Sequence, residues 1–323
     1  MGNKPTEATN TVAPDVKPLL ARVKHRLPHR RTLQAYVFVS PAILTLIVFT
    51  AGPFLFTVWV SLHNWNMIQP VSEMPSVGLE NYRYLLTRDD IFRRALGNTF
   101  TFAICGVGIN TVLGLLGALL LNTRLRARTF WRTVFFLPIV TAPLALGMMW
   151  SALLGKNYGL VNNILRQLSL PPQPFLSSPD QALPSIIGIA VYQYVGYYMI
   201  IYLAGLQGIP IEYYDAAAVD GANRWQSFWH ITLPLLRPVM LFIIVTNTIG
   251  ALQVFDIVFA TTTGGASTSG GGPAGSTMVV VLHMYNTAFK FFRMGRSTAM
   301  SLLLFLIIFT ITLFQLRFLR ERT

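Results

Sequence analysis

Long apolar stretches alternate with shorter polar connectors along most of this chain. A helix that crosses the hydrocarbon core of a membrane needs roughly 20 mainly apolar residues. Six stretches reach that length: Leu33–Leu62, Ala95–Leu121, Thr133–Gly155, Leu183–Leu206, Pro238–Thr263 and Ser297–Leu316. Lipid offers the backbone no hydrogen-bond partners, so each stretch is expected to be a helix. The pattern therefore predicts an all-α membrane protein with six transmembrane helices.

Composition supports this fold class, and the charge distribution predicts its orientation. Of the 323 residues, 53% are hydrophobic and 11% are charged, whereas soluble domains carry about 25% charged residues. The net charge of +13 would suit a nucleic-acid-binding protein, but the basic residues follow the connectors instead of forming one surface. They are dense in the N-terminal arm, at the C-terminus and in the second connector, at Arg124, Arg126, Arg128 and Arg132. The positive-inside rule then predicts that both termini are cytoplasmic.

Three parts of the chain differ in composition. Residues 1–32 are polar and basic and contain prolines, which predicts a loosely ordered cytoplasmic arm. That arm either fixes the topology or lies on anionic lipid headgroups. Residues 33–320 are expected to form one six-helix transmembrane domain. Within it, residues 261–277 (TTTGGASTSGGGPAGST) are expected to be a flexible outer linker.

Motifs for covalent catalysis or metal binding are absent from the sequence. It contains no Walker A pattern, no H-E-x-x-H, no G-x-S-x-G and no His/Cys cluster with metal-ligand spacing. Cys105 is the single cysteine, so neither an internal disulfide nor a Cys-based cluster is possible. The chain is therefore predicted to be a non-catalytic component with no cofactor of its own. Any uphill transport must draw its energy from a partner or an ion gradient.

The connector 211–234 is unusually structured for a link between membrane helices. With the two residues before it, it reads IPIEYYDAAAVDGANRWQSFWHITLP. A proline followed by acidic residues and alanines predicts a helix beginning near residue 211. Gly221 suits the left-handed backbone that ends such a helix, and Asn223 is expected to cap a second one. An amphipathic hairpin lying on the lipid surface is the alternative.

This connector resembles the EAA loop of ABC importer permeases. The family pattern is E-A-A, three residues, G, nine residues, I-x-L-P. Every spaced position is matched here, with Asp215 in place of the family's glutamate: Asp215, Ala216, Ala217, Gly221, Ile231, Leu233 and Pro234. The segments 92–102, 132–140 and 285–301 resemble the carbohydrate-uptake branch, that of maltose, lactose and glycerol-phosphate permeases. The resemblance covers roughly residues 34–320, and it departs at Ala266, where the family commonly has a proline after two glycines.

The resemblance implies a fold, a set of partners and a mechanism. The fold would be that of type I ABC importer permeases, in a bacterial or archaeal cell membrane. The loop 211–234 would be a cytoplasmic coupling helix docked on an ATPase subunit, which would bind the ATP and Mg. Two such ATPase subunits, a second permease subunit, an extracytoplasmic solute-binding protein and the membrane lipids would be the partners. Nucleic acid is not expected among them.

Candidate residues of a substrate pathway lie on the fourth and fifth predicted spans. Asp256 is the single acid within the six stretches, and a charge in hydrocarbon is costly unless it faces a wet cavity or a partner. Helical spacing predicts a polar stripe around it on the fifth span. The candidates are Gln193, Tyr194, Tyr197, Gly250, Gln253 and Asp256, with Trp150 and Asn110 as weaker ones. The alternatives are ordinary helix packing, interfacial tyrosines, and pairing of Asp256 with the partner permease.

Three classes of function remain open from the sequence. The first is a permease subunit of an ATP-driven sugar importer, with glycerol 3-phosphate or a glycerophosphodiester as the alternative substrate. The second is a secondary transporter driven by an ion gradient, which would be expected to carry internal repeats and more ionisable residues in its spans. The third is a membrane-embedded enzyme such as a lipid-modifying transferase, which the scattered positions of the five histidines disfavour.

Overall fold

The computed structural model describes residues 29–123, 127–263 and 270–320. Most of the predicted arm, and residues 264–269 of the predicted linker, lie outside these ranges. The α-helices are α1 His29–Leu46, α2 Gly52–Ser61, α3 Glu80–Thr87, α4 Asp90–Asn122, α5 Arg128–Val140, α6 Pro143–Leu153, α7 Leu160–Gln167, α8 Pro179–Gln207, α9 Glu212–Val219, α10 Arg224–Ser227, α11 Leu233–Leu235, α12 Arg237–Leu252, α13 Asp256–Thr263, α14 Val280–Tyr285 and α15 Met294–Arg320. Single π-helical turns occupy Ile47–Ala51, Phe228–Thr232 and Asn286–Lys290.

Five of the six predicted spans are confirmed as helices long and apolar enough to cross a membrane. They are Leu33–Ser61, Asp90–Asn122, Pro179–Gln207, Arg237–Thr263 and Met294–Arg317. Several extend past the apolar stretch into polar sequence. The helix α4, for example, begins at Asp90 instead of Ala95, because the Asp89 carboxylate accepts a hydrogen bond from the backbone N–H of Phe92 at 2.9 Å and so caps the helix.

The third predicted span consists of two helices instead of one. Its two halves, α5 and α6, meet at an angle of 97°. Thr141 and Ala142 between them are extended, with ψ near 131° at both. The cause is Pro143, which lacks a backbone N–H and disfavours the helical conformation of the residue before it. The pair is therefore either a broken span or a re-entrant segment.

The chain divides into two units between Leu55 and Phe56. The first unit contains α1, which has a proline inside it at Pro41. A proline leaves the carbonyl four residues earlier without its usual helical donor. Here the Ser40 hydroxyl donates to that carbonyl, on Val37, at 2.9 Å. Large apolar side chains such as Phe38, which is 86% exposed, face outward from α1, as suits a helix surrounded by lipid.

The second unit, residues 56–323, holds two buried apolar clusters. One includes Phe92, Ile186, Leu252, Leu282 and Met300, from α4, α8, α12, α14 and α15. The other joins the remaining parts of α4, α8 and α12 around Met199, Tyr202, Leu236 and Ile243. Gly114 and Gly117 of α4 lie directly against Tyr198 and Met199 of α8, a use of small residues that is common between membrane helices.

Residues 270–290 are fastened to the first turns of α4. The backbone N–H of Val280 donates to the Thr99 hydroxyl at 3.0 Å, and Nδ2 of Asn98 donates to the carbonyl of Met278 at 2.9 Å. Nε2 of His283 lies 3.2 Å from Oδ2 of Asp89, with both side chains almost buried. Burial alone would raise the pKa of Asp89, but the hydrogen bonds from His283 and Phe92 and the charge of His283 hold that pKa below its ordinary value.

Candidate functional site

A cavity of about 190 Å³ opens between α4, α8 and the fifth span. The lining residues are Phe102, Gly106, Asn110, Pro143, Ala190, Gln193, Tyr194, Tyr198, Asn247, Gly250, Ala251, Gln253, Val254, Phe255, Asp256 and Ile257. Pro143, at the bend between α5 and α6, places the break of the third span beside the same cavity.

The fifth span is interrupted where it passes the cavity. Its first half, α12, ends at Leu252, and its second half, α13, begins at Asp256. Between them, the N–H groups of Gln253 and Val254 bond to the carbonyls three residues earlier, at 3.2 and 3.4 Å. Non-helical backbone at membrane depth is tolerated where it lines a polar cavity or is covered by protein. The interruption therefore supplies polar backbone to the cavity wall as well as side chains.

Three buried amides of the wall carry polar atoms with no hydrogen-bond partner within the described residues. They are Oδ1 of Asn110, Oε1 of Gln193 and Nδ2 of Asn247. The Gln193 amide is held in place because its Nε2 donates to the carbonyl of Thr141 at 3.2 Å, just before the Pro143 bend. Unpartnered buried polar atoms are costly, so these groups are suited to exchange hydrogen bonds with a polar solute.

Asp256 brings a carboxylate to the cavity. It lies in the first turn of α13, where the positive end of the helix dipole favours a negative charge. Its side chain is exposed to the cavity, and none of the ion pairs found among the described residues includes it. The cavity wall, as the structure describes it, contains no Lys, Arg or His. The cavity therefore combines one acidic and several neutral polar side chains with apolar ones.

The structure brings five of the six predicted pathway residues together. Gln193 and Tyr194 of α8, and Gly250, Gln253 and Asp256 of the fifth span, all line the cavity. Tyr197 does not: it is 38% exposed, and its ring packs edge-on against Tyr198 at 5.3 Å.

Of the two weaker candidates, one lines the cavity and the other does not. Asn110 lines the cavity. Trp150 lies outside it and packs on Tyr192, with ring centroids 5.5 Å apart.

Two polar lining residues, Tyr198 and Asn247, were not among the predicted candidates. Asn247 is three residues before Gly250, which is helical spacing on the same face, and this was the available signal. Tyr198 follows Tyr197 directly, and only the packing of α8 against α4 decides which of the two rings turns inward. There α8 packs closely on Gly114 of α4: a β-carbon built on Gly114 would lie 3.3 Å from Cβ of Tyr198.

The connector 211–234 has the predicted pair of short helices. The helix α9 spans Glu212–Val219, and Gly221 follows it with φ of +78°. Asn223 caps α10 through a reciprocal pair of hydrogen bonds with Gln226, both 2.8 Å long. The sequence did not predict the π-helical turn Phe228–Thr232 that continues α10.

A side-chain contact braces the two halves of this connector. The Tyr214 hydroxyl lies 3.0 Å from Oγ1 of Thr232. The outer surface is apolar and open: Val219 is 88% exposed, and Trp225 is 69% exposed. Trp225 packs with Phe228 and Trp229 in one aromatic group. No residue of α9 is fully buried, and Ala216 and Ala218 are exposed, so most of the surface of this alanine-bearing helix is available for contact.

Comparison with known proteins identifies a family and a fold. Residues 110–322 match the family model described as binding-protein-dependent transport system inner membrane component. The chain is 33% identical to the trehalose/maltose transport system permease protein MalF of Thermococcus litoralis, covering 90% of this chain and 95% of that protein. It is 31% identical to the sn-glycerol-3-phosphate transport system permease protein UgpA of Agrobacterium fabrum, covering 89% and 94%. The crystal structure of a bacterial ABC transporter involved in the import of the acidic polysaccharide alginate has the same fold, with 24% identity, a TM-score of 0.77, and coverage of 91% and 97%.

Proposed function

Because the chain belongs to the family of binding-protein-dependent transport system inner membrane components, we propose that it is one permease subunit of an ATP-driven importer of neutral sugars or related polyols. It is a transport component and not an enzyme. In this proposal the cavity between α4, α8 and the fifth span is half of the translocation pathway, and a second permease subunit supplies the other half.

The observation that carries the choice of substrate is the chemistry of the cavity wall. The unpartnered oxygens of Asn110 and Gln193 and the carboxylate of Asp256 are acceptors, and sugar hydroxyls are donors that match them. Nδ2 of Asn247 adds a donor for a hydroxyl or ring oxygen. A phosphate or carboxylate ligand would instead call for Arg or Lys, and none lies in the described wall. A neutral, hydroxyl-rich solute is therefore favoured.

Aromatic rings complete the match to a sugar. Tyr194 and Tyr198 on α8, Phe102 on α4 and Phe255 at the interruption of the fifth span border the same cavity. Aromatic faces pack against apolar surface, and a pyranose ring presents apolar C–H faces beside its hydroxyls. The wall thus offers rings and amides to one solute, in agreement with the trehalose/maltose substrate named for one relative.

The connector 211–234 is proposed to be the coupling loop. It would lie on the cytoplasmic side, as would both termini, and dock on an ATPase subunit that binds ATP and Mg. Ala216 and Ala217 would allow a close approach, Asp215 would favour the helix through its first-turn charge, and Gly221 would set the bend. An extracytoplasmic binding protein would deliver the sugar to the opposite face. Ile231, Leu233 and Pro234 would return the chain to the membrane.

The main alternative is an importer of glycerol 3-phosphate, the substrate named for another relative. The absence of a basic side chain from the described cavity wall disfavours it. A transporter driven by an ion gradient is the alternative outside the family's chemistry. It would move its solute without ATP and without a binding protein, which separates it from the proposal in a single assay.

The test is uptake of radiolabelled solute by proteoliposomes containing the complex purified through a tag on this chain. Maltose, trehalose, lactose and glycerol 3-phosphate are compared, with the binding protein outside and ATP inside or absent. We expect ATP-dependent uptake of a neutral sugar, and we expect Asn247→Ala to lower it about tenfold, the worth of one hydrogen bond of about 1.4 kcal/mol. Thr246→Val is the matched control, because Thr246 lies next in the chain but outside the cavity. Uptake of glycerol 3-phosphate alone, or uptake without ATP, would refute the proposal.

A further inference from the structure

Two arginine side chains converge at the end of the helix bundle that carries the connector 211–234. Arg128 and Arg132 lie one turn apart at the start of α5, and Gln207 is the last residue of α8. With the Gln207 amide turned so that its oxygen faces them, that oxygen accepts from Nη2 of Arg128 at 2.6 Å and from Nη2 of Arg132 at 2.9 Å. Two positive charges are therefore held around a single neutral acceptor.

The hydrogen-bonding capacity of these guanidinium groups is far from satisfied. Each guanidinium has five N–H donors, and Nε of both Arg128 and Arg132 is buried without a partner within the described residues. No ion pair found in those residues includes either arginine. A buried charged donor without a partner is costly, and two like charges this close repel each other. The arrangement is one that a bound anion stabilises.

From this arrangement we propose that Arg128, Arg132 and Gln207 bind the phosphate group of an anionic membrane lipid. The planar guanidinium presents parallel donors that match phosphate oxygens. Two of them side by side, with an amide between, offer a phosphodiester several donors at once. The site lies outside the cavity, and the sugar pathway does not use it.

A lipid is favoured over a soluble anion because of what surrounds the arginines on α5. Phe130 is 60% exposed and Trp131 is 45% exposed, and their rings pack edge to face at 5.5 Å. Exposed aromatic residues at the end of an apolar helix mark the level of the headgroups. Further along α5, Val134 and Leu137 are also exposed apolar residues, ready to contact acyl chains. The site therefore combines a phosphate ligand set with lipid-facing surface.

The position of Gln207 links this site to the connector. Only four residues separate the end of α8 at Gln207 from the start of α9 at Glu212. A headgroup that bridges the start of α5 and the end of α8 holds in place the helix end that leads into the connector 211–234. In the orientation proposed above, the site lies in the cytoplasmic leaflet, where anionic lipids attract basic residues.

The test is a titration of pyrene-labelled phosphatidylglycerol into phosphatidylcholine nanodiscs that hold the purified complex. Binding is followed by energy transfer from tryptophan, for which Trp131 lies beside the site. Each basic residue near an anionic surface contributes about a factor of five in affinity. Arg128→Gln combined with Arg132→Gln should therefore weaken binding about 25-fold. Each single substitution should weaken it about fivefold, which keeps the test valid if the double variant fails to assemble.

The matched control is Arg83→Gln combined with Arg88→Gln, which removes the same charge at two exposed positions, one on α3 and one directly after it. Its affinity should stay within about twofold of wild type, since those arginines have no part in the site. Unchanged affinity in the Arg128 and Arg132 variants would overturn the proposal, and so would equal weakening in the control. Displacement of the labelled lipid by millimolar glycerol 1-phosphate would assign the site to soluble phosphates. Loss of the ATPase subunit with unchanged lipid affinity would assign it to protein docking.

Discussion

Gly196→Ala gives the sharpest test of how the cavity wall is assembled. A β-carbon built on Gly196 of α8 would overlap the carbonyl oxygen of Phe135 on α5 and lie 3.2 Å from the backbone nitrogen of Phe136. The obstacle is backbone, so no side-chain rotation can relieve it. To remove this overlap the two helices must separate by more than an ångström. That movement also lengthens the hydrogen bond from Gln193 to the carbonyl of Thr141, which holds a cavity amide in place.

The size of the effect follows from two opposing terms. Forcing extra volume into a packed interface costs about 1–3 kcal/mol, and contact with rigid backbone puts this case near the upper end. Replacing Gly by Ala inside a helix stabilises the folded state by about 1 kcal/mol. We therefore expect Gly196→Ala to lower the free energy of unfolding by about 2 kcal/mol. Gly188→Ala on the same helix meets no atom within 4 Å, so it should gain up to about 1 kcal/mol from helix propensity alone.

Thermal unfolding of the two purified variants, followed by the monodisperse fraction that survives heating, measures the difference. Domains of 150–250 residues shift by roughly 2–4 °C per kcal/mol, so a gap of about 3 kcal/mol corresponds to roughly 6–12 °C between the variants. Gly196→Ala should also lower sugar uptake, whereas Gly188→Ala should not. Equal melting temperatures for the two variants would show that α5 and α8 do not approach each other as described.

Three further predictions concern single side chains. Asp256→Asn should raise uptake of glycerol 3-phosphate relative to a neutral sugar, because it removes the negative charge of the cavity wall; competition between the two labelled solutes measures it. Asp89→Ala should cost about 0.5–2 kcal/mol through loss of the cap on α4, seen as a lower melting temperature. Folding lowers the pKa of Asp89. The extra stability of wild type over Asp89→Ala should therefore be complete above the ordinary aspartate pKa of about 3.9, and it should disappear as the pH falls through the lowered pKa of Asp89. Tyr214→Phe removes the contact with Thr232 and should reduce stimulation of ATP hydrolysis by the binding protein while the complex still assembles.

The sequence was sufficient for the membrane spans because length and apolarity decide them. Five spans required only the count of consecutive apolar residues. The bend at Pro143 was also predictable, since a proline restrains the residue before it. Apolarity alone, however, predicts one continuous helix. The connector 211–234 was predictable because its signals are local: alanines, Gly221 and the Asn223 cap act on their own neighbours in the chain.

The cavity was less predictable because it depends on packing between distant segments. Asp256 and Gln253 were predictable from their polarity within an apolar stretch, although helical spacing implies a continuous helix there. The structure instead interrupts that helix between Leu252 and Asp256. Tyr197 and Tyr198 differ by one position and 100° on α8. Which of them faces the cavity is set by the close approach of Gly114 on α4, and no local pattern in α8 encodes that contact.

Coupling between this chain and the ATPase is tested by ATP hydrolysis of the complete transporter in lipid, with and without sugar-loaded binding protein, in wild type and Gly221→Asp. No atom lies within 4 Å of a β-carbon at Gly221, so this change acts through the strained backbone at φ of +78° and the added charge at the bend. The proposal predicts that loaded binding protein stimulates the wild type, and that the variant assembles but loses the stimulation. A fully stimulated variant, or sugar transport by this chain alone without ATP, would contradict it.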